Sequence, residues 1–141
     1  MKIKIQKIKE VKTPNYAHEG DAGLDIYSAE EGYNLKSGER KGFLTGIKME
    51  IPSGYVGLIW DKSGLATKHG MKTMAGVIDS SYRGEIIIVL INLGDEDYLV
   101  EKNTKIAQIL IQKIERVEIE EVEDLNKTER EDGGFGSTGK L

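Results

Sequence analysis

Asp79 and Tyr82 stand three residues apart on a short polar stretch, Asp79-Ser80-Ser81-Tyr82-Arg83, set between Gly76 and Gly84. Glycines let a backbone approach a ligand closely, and a carboxylate held on such a turn can take a proton from an attacking water. A second carboxylate, Asp25, lies among apolar neighbours in Ala22-Gly23-Leu24-Asp25-Ile26-Tyr27. Two roles are open to it: a site carboxylate, or a strand-end Asp bonded to nearby amides. Lys62-Ser63-Gly64 offers a cation, a hydroxyl and backbone amides in one triplet, either an anion cradle or a plain helix cap. Gln108 interrupts an apolar run, and an amide there needs partners. Arg130 and Phe135 lie in a polar, glycine-rich end; Phe135 has no core of its own to join there and must pack on something else. The chain holds no Ser-His-Asp set and no cysteine. This inventory suits attack by water on a phosphate ester or anhydride, where positioning and charge stabilisation carry catalysis. Such chemistry usually calls for Mg²⁺, which prefers oxygen ligands and keeps several waters. Asp79 is then the general base, since an aspartate is ionised at neutral pH.

The elements that must position these groups read as strands. Short segments rich in Ile and Val recur about every dozen residues between glycine turns, which predicts an all-β sandwich or barrel. Strands are expected over residues 2–9, 22–27, 41–51, 55–60, 71–78, 83–92, 98–100 and 106–114, with Phe43, Ile47 and Met49 facing a core. Residues 32–40 read as turns, and residues 65–69 as the one real helix, with Ser63 able to open it. Residues 116–123 alternate Val117, Ile119 and Val122 with acids, an edge strand suited to pairing with another subunit. The organisation expected is one β domain over residues 1–125, then a flexible tail over residues 126–141.

Composition sets the outer limits. A chain of 141 residues is long enough for one core without staples. With no cysteine and only His18 and His69, neither a disulfide framework nor a zinc site from thiolates and imidazoles is available. The formal charge of −4 argues against stable binding to a nucleic-acid backbone, while leaving room for a single nucleotide. The apolar runs are too short to span a bilayer. No signal-type core follows Met1-Lys2-Ile3-Lys4, so a cytoplasmic location is predicted.

Five segments, around Ala22–Ile26, Asp61–Ala66, the Asp79 turn, Lys105–Gln108 and Arg130–Gly139, resemble in order and spacing the five motifs of the trimeric dUTPases. Gly133-Gly134-Phe135-Gly136-Ser137-Thr138-Gly139 is the most specific of them. The resemblance implies a jelly-roll-like β barrel, a homotrimer with three sites between subunits, and tails closing over neighbouring sites. It implies cleavage of dUTP to dUMP and pyrophosphate with Mg²⁺, limiting uracil in DNA and supplying dUMP for dTMP synthesis. By this likeness Asp79 positions the water that attacks the α-phosphorus, and Tyr82 lies against the deoxyribose, leaving no room for a 2′-hydroxyl. The hairpin carrying Thr73, Gly76 and Val77 reads uracil. Lys62, Ser63, Gly64 and Gln108 line the triphosphate, and Asp25 holds a water of the Mg²⁺ shell. Arg130 reaches the γ-phosphate, and Phe135, followed by Gly136, stacks on the base.

Three departures from the family pattern stand out. Lys62 replaces the usual Arg, keeping the charge but losing the bidentate fork. Glu131 and Asp132 follow Arg130 where small residues are common, and Thr73 stands where an apolar residue or amide is usual, with a hydroxyl placed to touch the base. The dCTP deaminases share the fold but need a catalytic Glu where this chain has Val89, and they lack the Gly-Gly-Phe-Gly tail. A non-catalytic binding module is the rival of a different class, and the retained Asp79 argues against it.

Overall fold

The computed structural model describes residues 1–133. Phe135 and Gly136 therefore lie outside the described residues. Eleven strands and one helix follow in order: β1 Lys4–Lys7, β2 Leu24–Tyr27, β3 Tyr33–Leu35, β4 Arg40–Leu44, β5 Ile47–Glu50, β6 Tyr55–Trp60, α1 Ser63–His69, β7 Met71–Met74, β8 Val77–Ile78, β9 Ile87–Asn92, β10 Tyr98–Val100 and β11 Lys105–Lys113. All pairings are antiparallel. A four-stranded sheet in the order β2-β11-β6-β8 and a three-stranded sheet in the order β4-β9-β7 carry the main faces, with the pairs β1-β5 and β3-β10 beside them. This is the all-β architecture that the strand pattern predicts. No helix among the described residues is long and apolar enough to cross a membrane.

The core follows from the strand period of two. In β9, Ile88, Leu90 and Asn92 point inward while Ile87 faces out. Phe43, Ile47 and Met49 are buried as expected, with Ile26, Leu35, Ile86, Ile106 and Ile109. Asn92 is the one amide fully buried among them, and its hydrogen bonds explain why it is tolerated. Its Nδ2 donates to the Leu35 and Glu96 carbonyls at 3.1 and 2.8 Å, and its Oδ1 accepts from the Gly94 amide at 2.9 Å.

Four elements differ from the sequence expectation. The strand expected over residues 41–51 is broken at Thr45-Gly46 into β4 and β5. Gly46 has φ 69°, and a Cβ there would press on Lys9, Ala29 and Val11 side chains at 3.0–3.3 Å. Its carbonyl instead accepts the Ile8 amide at 2.8 Å. Residues 33–35 form β3 rather than a turn, because Leu35 is fully buried and Tyr33 packs edge-on against Phe43, 5.9 Å between ring centres. The strand expected over residues 71–78 breaks at Ala75 and Gly76, both at positive φ. Residues 116–123 form no strand within the chain, and Val117 and Ile119 stay 80% and 88% exposed. The alternation is real, but the segment pairs with no strand of the same chain among the described residues.

Candidate active site

The Asp79 turn hangs from β6. Gly57 and Leu58 of β6 pair with Ile78 and Val77 of β8. Position 57 needs a glycine, since a Cβ there would meet the Ile109 and Ile51 side chains at 2.8 Å and Ile78 of β8 at 3.3 Å. The chain then reverses, with the Tyr82 amide donating to the Asp79 carbonyl at 3.0 Å. Arg83 holds the turn from inside, its guanidinium donating to the Ser80 and Tyr82 carbonyls at 2.7 and 2.8 Å. The Tyr82 hydroxyl donates to the Glu85 carbonyl at 2.9 Å. The ring folds over Gly84, where any side chain would collide with it. Asp79 is left exposed, beside a shallow cleft of about 170 Å³ lined by Val77, Ile78, Asp79, Tyr82 and Ile87. An exposed carboxylate on a turn pinned at both ends is a proton acceptor of fixed position.

A second, larger cleft of about 450 Å³ is lined by Asp21, Ala22, Gly23, Trp60, Asp61, Gln108 and Leu110. Asp25, Gln108 and Trp60 sit in register across β2, β11 and β6. The Gln108 Nε2 donates to the Asp61 carbonyl at 2.9 Å, and its side chain fills the space that a Cβ on Gly23 would take. Asp25 is 2% exposed. Its Oδ1 accepts from Lys62 Nζ, while Lys105 Nζ lies 2.6 Å from Oδ2, an ion pair not aligned as a hydrogen bond. Burial by itself pushes the Asp25 carboxyl up, but Lys105 and Lys62 together outweigh it and hold it below the usual aspartate range. A carboxylate taken out of water needs such partners. Lys62 is the residue just before α1, and Ser63 and Gly64 are exposed in its first turn.

Asp61 ties this region to β7. Its Oδ1 accepts from the Thr73 amide at 2.7 Å and from the Thr73 hydroxyl at 2.6 Å, and its Oδ2 pairs with Lys72 at 2.9 Å. Burial raises the Asp61 carboxyl, yet the Thr73 hydroxyl and amide, helped by Lys72, bring it below its ordinary value. The Thr73 side chain is buried and its proton is already donated. What this hydroxyl keeps for the expected base contact is a lone pair, as an acceptor. Arg130 lines neither cleft; its Nε donates to the Gly133 carbonyl at 2.7 Å.

Asp61 and Lys105 were missed as site residues. Strict alternation puts Lys105 and Gln108, three apart, on opposite faces. A register shift between Lys105 and Ala107 cancels that offset, as a bulge does, and brings Lys105 to Asp25. For Asp61 the signal was its place at the head of the Asp61–Ala66 segment, directly before Lys62.

No group of three or more His, Asp or Glu side chains that could hold a metal ion occurs among the described residues. Mg²⁺ would fit this donor set as an ion that keeps its waters, with the buried Asp25, in register with Gln108 of the larger cleft, toward its water shell.

Asp25 and Asp61 also make a pH prediction. Both carboxyls hold a proton less tightly folded than unfolded. Their stabilisation is therefore complete above the unfolded value, roughly 3.9, and is lost as pH falls through the lower folded value. Urea unfolding at fixed protein concentration should give stability that is flat down to about pH 5 and declines below about pH 4. A rise in stability on acidification below pH 4 would contradict the assigned ion pairs.

The chain's likeness to known proteins matches this geometry. The dUTPase family model matches residues 9–139. A deoxyuridine 5′-triphosphate nucleotidohydrolase of Clostridium kluyveri is 49% identical, with 100% of both chains covered. One from Trichodesmium erythraeum is 48% identical, covering 99% of each. Among solved structures, a Staphylococcus bacteriophage 80alpha dUTPase mutant with dUpNHpp superposes with a TM-score of 0.90, at 29% identity and 98% coverage of each chain. A family model spanning nearly the whole chain, near-half identity end to end and a shared fold leave one assignment: this chain belongs to the dUTPase family.

Proposed function

We infer that the protein hydrolyses dUTP to dUMP and pyrophosphate in sites shared between the subunits of a homotrimer. The observation that carries the chemistry is the pinned turn, with Asp79 exposed and the Tyr82 ring locked over Gly84. A water placed between Asp79 and the α-phosphorus gives its proton to the carboxylate as its oxygen bonds to phosphorus. The bond from the α-phosphorus to the bridging oxygen breaks, and pyrophosphate leaves with that electron pair. Tyr82, against the deoxyribose, leaves no room for a 2′-hydroxyl, and the Gly76-Val77 backbone faces the base. Lys62 turns from Asp25 to the phosphates, beside Ser63, Gly64 and Gln108. Asp25 keeps Lys105 when Lys62 departs, so its buried charge stays paired. Mg²⁺, when bound with the substrate, supplies charge neutralisation on the phosphate oxygens, with Asp25 accepting from its water shell. Arg130 contacts the γ-phosphate and Phe135 with Gly136 covers the base, the tail over residues 126–141 closing on a neighbouring subunit's site.

Sharing between subunits is supported by the distance between the two clefts. Ile78 pairs with Gly57, so Asp79 falls beside Val56, while Lys62 lies six residues further along the chain. At about 3.3 Å per residue that is roughly 20 Å. A base at the α-phosphate and a cation on the other phosphates of the same substrate must lie within about the length of one triphosphate, which favours drawing the two from different chains. The exposed Val117, Ile119 and Leu125 offer apolar surface for the subunit contact.

The test is product analysis by ³¹P NMR with dUTP, UTP, dTTP and dCTP side by side. dUTP with Mg²⁺ should give dUMP and pyrophosphate, the other three reacting about a hundred-fold or more slowly. Formation of dUDP with orthophosphate, or of deaminated dCTP, would overturn the reading.

A further inference from the structure

Asp61 is the node between two parts of the larger cleft, and α1 itself does not explain where its first turn sits. The residue capping α1, Lys62, makes no side-chain cap bond, and the first turn carries no acid. The start of the helix is instead anchored one residue earlier. The Asp61 carbonyl receives the Gln108 amide, and its carboxylate receives the Thr73 amide and hydroxyl. An acid next to a polyphosphate would normally repel it. Here the charge is paired with Lys72, and one oxygen, Oδ1, accepts both Thr73 bonds. The geometry uses Asp61 for its acceptor oxygen more than for its charge.

We propose that Asp61 is a positioning residue for dUTP hydrolysis: clamped by Thr73 and Gln108, it fixes the Lys62-Ser63-Gly64 segment and the Gln108 amide at the spacing that the pyrophosphate half of the substrate requires. This rests on the reading that those four residues meet the triphosphate. Gln108 keeps a second N–H beyond the one given to Asp61, so the clamp sets its direction without consuming its donor capacity. A loop held by two side-chain bonds and one carbonyl bond loses little freedom when the anion arrives, which is how preorganisation raises affinity.

The test uses the full-length protein with inorganic pyrophosphate and dUMP as separate inhibitors of dUTP turnover. Asp61→Ala and Thr73→Val should each weaken inhibition by pyrophosphate about ten-fold, the scale of one lost buried hydrogen bond. Inhibition by dUMP should stay within about two-fold, because the clamp leaves Gly76, Val77 and Tyr82, which meet the base and sugar, unchanged. Asp61→Asn and Thr73→Ser, which keep an acceptor and a hydroxyl, should restore the wild-type value. Should Asp61→Ala fail to assemble, the Thr73→Val and Thr73→Ser pair decides alone. Unchanged pyrophosphate inhibition in a folded Thr73→Val, or equal losses for pyrophosphate and dUMP, would overturn the clamp. Wild type that does not turn over dUTP would instead remove the functional reading beneath it.

Discussion

Asp79→Asn is expected to bind dUTP almost as the wild type does and to turn it over about a thousand-fold more slowly. Asn has the same shape, and the turn is built from groups the substitution leaves alone. The Tyr82 amide bonds the residue 79 carbonyl, Arg83 bonds the Ser80 and Tyr82 carbonyls, and Tyr82 bonds Glu85. What disappears is the carboxylate that we propose accepts the proton of the attacking water. Steady-state kinetics on a variant of unchanged melting temperature separates the possibilities. A collapse of kcat with KM near wild type marks an interaction made only in the transition state. Near-normal kcat with a raised KM would make Asp79 a binding residue and end its assignment as base.

The second large effect comes from mixing subunits. Lys62→Ala should be severely impaired, because the phosphates lose their cation while Asp25 keeps Lys105 and the fold is retained. Co-expressed with Asp79→Asn, it should nevertheless form active particles. If each site takes Asp79 from one subunit and Lys62 from the next around a closed three-fold ring, every mixed trimer has one site with both groups intact. Random assembly makes about three-quarters of the trimers mixed, so activity recovers to about a quarter of wild type. With both groups drawn from a single chain, every site in every mixed trimer would lack one of them. Verified mixed trimers without activity would therefore refute shared sites. The span of up to roughly 20 Å from Val56 to Lys62 predicts recovery.

The amino-acid order alone determined what is local. The period of two put Ile88 and Leu90 inside, a single turn-long run after Ser63 gave the one helix, and the glycine-bounded Asp79 turn was legible because Gly76 and Gly84 are needed where the backbone or a ring crowds. The motif residues Asp25, Lys62 and Gln108 were readable as candidates, and the resemblance implied the roles proposed for them. Only the folded chain decided what depends on distant partners. Gly46 breaks a strand because Val11, Lys9 and Ala29 arrive from elsewhere, and the Tyr33 segment is a strand because β10 and Phe43 meet it. Thr73 became a clamp because Asp61, twelve residues earlier, takes its proton. Lys105 joined Asp25 through a register shift that no alternation pattern signals. The wide separation of Asp79 from Lys62 is likewise a matter of strand register, set by which residue of β8 meets which residue of β6. Patterns of residue type report the face a side chain takes; register and long-range packing, which depend on every other strand, report what it touches.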